Sequence, residues 1–401
     1  MILKTVLRIA SHAEHLKALN TCLFHVCVVL LFYMPGIYLS VIYGFLNFSS
    51  PLFQTVLGYV YFLILPLMNP IMDFGTLIVS ERDQCRDLLM EAFNLTHSDS
   101  STFILNGIPG LEDAHIWISI PFSMIYIIIL LANFTILFVV GKEQTLHKPM
   151  FLLLCMLALT DIGMSTCIVP KALSIFWFSS KGITVDGCLT QIFFLYVIGA
   201  TQSAVLVLMA FDRYVAICDP LRYATILTNS RIAKLGLVGL IRSVLLILPE
   251  SLLVRRLHFC ANRIIPHTYC ETVAVLKISC GETIINRMYS MVILLFIIGL
   301  DQTLIGLSYG LIIRAVLRIS SKKANRKALN TCTPHFCVMV MSCITMIFSS
   351  LTLSFGQGIA AYVHVLLANL YLLVPPMFNP IIYGVKIKEL RDKLGKYSCR
   401  M

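Results

Sequence analysis

Charge is what this sequence has least of. Only 13% of its 401 residues are Asp, Glu, Lys or Arg, about half the share that a soluble domain carries. Hydrophobic residues make up 58%, and the mean hydropathy is +0.86. Together these exclude a soluble globular protein and identify a polytopic membrane protein. Basic stripes interleaved with aromatics are also missing, so the net charge of +11 does not point to nucleic acid. The Lys and Arg residues fall in short blocks between apolar runs, where they read as topology signals. No cluster of His, Cys, Asp or Glu stands at catalytic spacing, which leaves an enzyme and a bound cofactor without support. Residues 1–20 lack the compact apolar core of a cleavable signal peptide.

What the sequence does have is a series of long apolar runs. They cover roughly 22–46, 52–72, 118–140, 150–176, 187–210, 235–254, 286–313, 333–353 and 361–384. At about 1.5 Å per residue, runs of this length cross a bilayer as helices. The expectation is therefore an all-α membrane protein with nine candidate spans.

The first two spans stand apart. Residues 1–72 repeat residues 311–382 without a gap, at a constant offset of 310 and with about a third of positions identical. Lys17-Ala-Leu-Asn-Thr-Cys22 matches Lys327-Ala-Leu-Asn-Thr-Cys332, and Asn69-Pro-Ile71 matches Asn379-Pro-Ile381. Convergent membrane composition would not hold such stretches in register. Transporters built from internal repeats cover half the fold with each copy, whereas this repeat covers two spans of nine. Residues 73–93 abandon the repeat and become charged and mixed, reading as a linker, and residues 94–401 form the main unit of seven spans. Asn94-Leu-Thr96 is a glycosylation sequon at its start.

Several polar residues interrupt the seven spans. Asp212 and Arg213 sit side by side where the third leaves the membrane, in Met209-Ala-Phe-Asp-Arg-Tyr-Val-Ala-Ile-Cys-Asp-Pro-Leu-Arg-Tyr223. Ionisable residues at such a place are costly and read as functional, the competing reading being plain interfacial anchoring. Asn133 lies in the first span, Asp161 well inside the second and Asp301 in the fifth. A transporter would line several spans with such groups, and Asp161 is the clearest of them. The loop 255–286 carries Cys260, Cys270 and Cys280, with Cys188 opening the third span on the same side. Four lumenal cysteines allow three pairings, and a zinc site is the alternative, although the ten-residue gaps lack its short spacing.

The Asp212-Arg213-Tyr214 stretch, with Val-Ala-Ile-Cys-x-Pro-Leu-Arg-Tyr behind it, resembles the third-helix end of odorant receptors, which are rhodopsin-like G-protein-coupled receptors. The resemblance extends along the chain through Gly107-Ile-Pro-Gly-Leu-Glu112, Leu146-His-Lys-Pro-Met150, Ser308-Tyr309, Lys327-Ala-Leu-Asn-Thr-Cys-Thr-Pro-His335 and Pro375-Pro-Met-Phe-Asn-Pro-Ile-Ile-Tyr383. The first of these is similar to the fish-like (class I) group. It implies a seven-transmembrane bundle in the plasma membrane that binds a small odorant and activates a heterotrimeric G protein of the stimulatory, olfactory type. By the same resemblance residues 1–72 are the sixth and seventh helices of a second, truncated receptor. A fusion product that signals to nothing is the competing reading.

The roles follow by resemblance. Arg213 is the switch, held at rest by Asp212 and released towards the G protein or Tyr309, with Tyr214, Asn379, Pro380 and Tyr383 in the same machinery. Asn133 and Asp161 form a polar core with Asn379. The implied disulfides are Cys188–Cys270 and Cys260–Cys280. Tyr196, Gly199, Ala200, Ser203, Thr272, Cys343 and Ser354 are the expected ligand-lining positions. They offer hydroxyls and apolar surface but no cation, so neutral odorants are expected over fatty acids. Relatives that bind carboxylic acids share an Arg late in the sixth helix, and this chain has Ser354 there. Its sixth helix reads Met341-Ser-Cys-Ile-Thr345, whereas the upstream repeat reads Leu31-Phe-Tyr-Met-Pro35 and keeps the family's aromatic pair and proline. Pro380 should bend the seventh helix. Residues 385–394, apolar at helical spacing with basic residues between, should form a short helix on the anionic inner leaflet.

Topology is the last expectation. The loops 142–148, 213–234 and 314–327 and the tail from Lys386 are basic, which places residues 90–115 outside. Lys4, Arg8 and Lys17 put residue 1 in the cytoplasm, and two spans later the linker would be there too. That contradicts a lumenal Asn94. The working unit is therefore expected to begin near Met90.

Overall fold

Inside a bilayer no water pairs with an exposed backbone, so an apolar run must satisfy its own N–H and C=O groups by coiling. The computed structural model describes residues 102–260, 263–318 and 361–398, with Cys332, Thr333, His335, Phe336 and Val338 besides. Among these residues, six helices are long and apolar enough to cross a membrane. They are α1 (His115–Lys142), α2 (Pro149–Phe178), α3 (Val185–Cys218), α4 (Asn229–Arg255), α5 (Ile284–Leu317) and α6 (Ala361–Lys386). A short helix, α7 (Lys388–Ser398), follows at the end. The first five helices coincide with the first five receptor-like runs, and α6 with the seventh.

All described elements belong to one compact unit, His97–Ser349 with Gly358–Met401. The upstream runs 22–46 and 52–72, the linker 73–93 and Asn94 lie outside the described residues. So does most of the sixth run, including Cys343 and Ser354.

Local chemistry sets the helix ends. Pro149 opens α2, where its missing N–H costs nothing. The Thr184 and Thr228 hydroxyls cap α3 and α4 by accepting from the Gly187 and Arg231 amides. Small residues then let α4 cross close to α3: a Cβ added at Gly239 would stand 2.9 Å from the Ala204 Cβ. Large apolar side chains such as Leu131, Phe134 and Leu245 face outward, as a lipid-facing surface requires.

Two apolar clusters fill the bundle. The outer one gathers Phe103, Leu105, Ile108, Phe176, Leu189 and Val275 around Cys188 and Cys270. The inner one gathers Phe151, Leu157, Met209, Ile232 and Tyr383, and Leu390 of α7 is buried in it. That insertion fixes α7 across the end of α6. It begins at Lys388 after a break at Ile387, three residues later than the sequence pattern indicates, because α6 continues to Lys386.

Four residues ahead of α1 escape the helical pattern. Strand β1 (Thr102–Leu105) pairs antiparallel with β2 (Gly182–Thr184) and parallel with β3 (Ile264–Ile265). Phe103 and Leu105 point inward, while Thr102 and Ile104 are exposed. The chain then turns at Gly107, whose φ of +78° suits glycine, and a Cβ there would meet the His115 ring at 2.8 Å. The Gly-Ile-Pro-Gly stretch thus lets the strand fold back onto the mouth of the bundle, where His115 accepts a hydrogen bond from the Ile108 amide.

Candidate functional site

Polar side chains in this bundle gather at three depths. At the inner end, α3 runs past the apolar stretch to Cys218, so Asp212 and Arg213 remain helical and are both buried. The Arg213 guanidinium donates to Asp212 through Nε at 2.9 Å and also through Nη2. The other Asp212 oxygen accepts from the Tyr223 hydroxyl at 2.7 Å, in the one-turn helix Tyr223–Ile226. Burial, and then the Asp212 charge, push the Tyr223 phenol up, so it stays protonated and donating. Tyr309 of α5 is buried, with no partner for its hydroxyl among the described residues. It feels the Arg213 charge and packs near Phe336 with ring centres 6.0 Å apart. Tyr383 and His335 stand 3.3 Å apart, oxygen to Nδ1. Tyr214 is half-buried and packs between the inner apolar groups.

In the middle, Asp161 is fully buried and accepts from the Asn379 amide at 3.0 and 3.1 Å and from Gln202 at 2.6 Å. Pro380 of the seventh span belongs to the same layer. Pro380 has no N–H, so the Pro376 carbonyl loses its helical donor. Asn133 replaces it, donating to that carbonyl at 3.2 Å and to the Ile129 carbonyl at 2.9 Å. The three expected polar-core residues thus converge on one inter-helix junction. Nearby, Arg242 of α4 forks onto Asp301 of α5 at 2.7 and 2.8 Å, and Ser203 of α3 donates to the same carboxylate at 2.7 Å. Ser203 is therefore engaged in tying three helices together.

At the outer end both expected disulfides are formed, Cys188–Cys270 and Cys260–Cys280. Gln191 seats the first, donating to the Cys167 carbonyl and accepting from the Cys270 amide, each within 2.8 Å. The loop behind Cys270 holds the one-turn helix Thr272–Lys277, capped by the Glu271 carboxylate accepting from Ala274. Burial pushes the Glu271 carboxyl up, and the Ala274 and Val273 amides pull it back. Tyr196 of α3 senses Glu271, Thr272 and Glu250 together. Gly199 lies against Met164 of α2, Ala200 is buried, and Thr272 is buried beside the Tyr196 phenol. Of the expected ligand-lining set, Tyr196 and Thr272 are brought together, and Ser203 sits about two turns deeper. Cys343 and Ser354 lie outside the described residues.

Sequence reasoning overlooked Arg242, Glu250, Asn286 and Gln202. Arg242 and Glu250 fall within a run counted as apolar, and an ionisable residue inside a span is itself the missed signal. Glu250 is 5% exposed and accepts from the Ser290 hydroxyl of α5 at 2.6 Å.

The chain matches the family model described as Olfactory receptor over residues 1–87 and 122–400. It is 47% identical to human olfactory receptor 52N2 over 296 residues, which cover 74% of this chain and 92% of that one. Its identity to human olfactory receptor 52P1 is 48% over 305 residues, 76% of this chain and 95% of the relative. For human olfactory receptor 52N1 the figures are 44% over 312 residues, 78% and 98%.

Proposed function

The chain belongs to the olfactory receptor family, and from that premise we propose that it binds a small volatile ligand inside the bundle and activates a stimulatory, olfactory-type G protein. Membership makes it a multi-pass plasma-membrane receptor with the seven-transmembrane fold and a sensory role. The observation that carries the finer reading is the inner-end cluster. Arg213 has its charge occupied by Asp212, which is in turn tied down by Tyr223. An unpartnered Tyr309 hydroxyl stands within reach of the Arg213 charge. A ligand that prefers the form with Arg213 released would shift the population to the coupling state. Fatty acids are disfavoured ligands in this reading, because Tyr196 and Thr272 are accompanied by the Glu271 and Glu250 carboxylates, while Lys277, whose charge acts on Glu271, is exposed at the far end of the one-turn helix.

The test is Arg213→Ala in the full chain, with surface staining beside odorant-driven cyclic AMP. Staining should stay near the parent level while the cyclic AMP response disappears. A normal response from well-displayed Arg213→Ala would refute the switch.

We further propose that the working unit begins near Met90 and that residues 1–89 are a remnant of a second receptor. The 310-residue offset repeat and the separate family match over residues 1–87 support this. Glycosidase digestion of the full chain and of a Met90-start variant checks it. Unequal Asn94 glycosylation with an undiminished response in the shorter chain is expected. Equal glycosylation together with a weaker response from the shorter chain would assign the segment to the receptor.

A further inference from the structure

We propose that the outer end of the bundle is a site for small protonated amines, with the Glu250 carboxylate as counter-ion. This deepens the reading that the ligand lies within the bundle, and rests on it. Three observations converge. Glu250 is buried near the outer end of α4, and the hydrogen bond it accepts comes from the neutral Ser290 hydroxyl at 2.6 Å. A buried carboxylate is stabilised far more by a cation than by one hydroxyl. Next, Asn286 lies one turn before Ser290 on the same face of α5, and its backbone oxygen accepts from Ser290. It is 4% exposed, and its amide nitrogen has no partner among the described residues. Thr272, 2% exposed, pairs with the Tyr196 phenol, which also feels Glu271 and Glu250. A buried polar atom without a partner is rare in a finished core, and the Asn286 amide lies one turn from the Ser290 hydroxyl that Glu250 accepts from.

The surrounding charges favour a cation. Glu271 adds a second carboxylate that acts on both Glu250 and Tyr196. Its amide partners at the one-turn helix hold it in place. Lys277, at the far end of that helix, is exposed. Arg255 reaches outward to Asp186 at 3.6 Å. Arg242 lies about two turns deeper on α4 and is committed to Asp301. Arg287 is about 100° round the helix from Asn286. A carboxylate ligand would meet like charge here. An ammonium would complete Glu250, and an oxygen on the same ligand would take the Asn286 amide.

Thermal unfolding of the full chain purified in detergent at neutral pH tests this, with cyclohexylamine, cyclohexanol and cyclohexanecarboxylate as probes of one shape. A ligand that binds the folded state raises the midpoint with concentration. Cyclohexylamine should act at roughly tenfold lower concentration than the alcohol, because charge-assisted hydrogen bonds are the stronger ones, and the carboxylate should not act. Glu250→Gln should remove the preference for the amine, and Glu250→Asp should weaken it without abolishing it. No shift with the amine, no preference over the alcohol, or an undiminished preference in Glu250→Gln each overturns the proposal. If Glu250→Gln does not fold, the comparison of the three probes on the parent chain decides alone. An amine that binds through Glu250 yet raises no cyclic AMP in cells would overturn the signalling reading and leave the site standing.

Discussion

The two ends of this bundle are held together by different chemistry. The outer end is stapled by two disulfides and covered by a three-stranded sheet. The inner end relies on reversible contacts: Arg213 with Asp212, Tyr223 with Asp212, and Tyr383 beside His335. Lys393 and Lys396 of α7 also reach Glu143 beyond α1. Covalent links do not break on the time scale of a signal, so the outer end is held in shape, whereas the contacts at the inner end are of the kind that the proposed switch would exchange. Between them lies a layer in which Asp161 and Asp301 each accept from at least two neighbouring side chains. Rigidity above and exchange below is the arrangement that a two-state receptor needs.

Breaking the middle layer should have the largest effect. Asp301→Ala leaves the half-buried Arg242 without its counter-ion inside a span, and loss of one member of a buried pair costs about 3–5 kcal/mol. Little of the protein should reach the cell surface, and replacing Arg242 and Asp301 together by Leu should recover part of it. Cys188→Ser comes next. Opening the 82-residue separation between Cys188 and Cys270 should cost about 2–4 kcal/mol, read as a lowered melting midpoint in detergent. If the outer end is as rigid as described, this variant should also lose ligand-induced stabilisation. Glu143→Gln releases α7 from its anchor at the inner end and should cost about 1 kcal/mol or less, since partly exposed pairs contribute little. At neutral pH a further effect is silent and appears only in acid. Burial, helped by Lys277 and His364, pulls His267 down to about 4 from an ordinary value of 6.5. Its contribution is full above pH 6.5 and is lost as pH falls through about 4, because the unfolded chain takes up the proton first. The melting midpoint should therefore decline across that window, and His267→Gln should flatten the decline.

The parts of the fold that lipid dictates were legible in the sequence. Apolar runs gave α1 to α5 and α6 to within a few residues, except that α3 continues to Cys218 and α4 already begins at Asn229 rather than 235, because a helix does not start or stop where hydrophobicity does. Pro149 as a helix start and the Asp212–Arg213 pair were equally plain. Strand β1 was not, since four alternating residues carry too short a pattern to separate from a loop. Cysteine spacing left three pairings open, and resemblance selected the pair that the fold forms. The Arg242–Asp301 fork was invisible for another reason: the partners are 59 residues apart, and one of them hides in a run whose average is strongly apolar. Ser203 stands in the expected ligand-lining set, and nothing in the sequence shows that its hydroxyl is spent on Asp301.

The Asn133 amide under Pro380 has a mechanical consequence. A proline bend whose vacant carbonyl met nothing would be a loose elbow, free to vary its angle. Here a neighbouring helix supplies the missing donor at 3.2 Å, so whatever angle α6 holds at Pro380 is steadied by α1 rather than by α6 itself. A single neutral hydrogen bond contributes about 1 kcal/mol net, little more than thermal agitation. The joint is thus firm enough to set a resting angle and weak enough for a modest push to reset it.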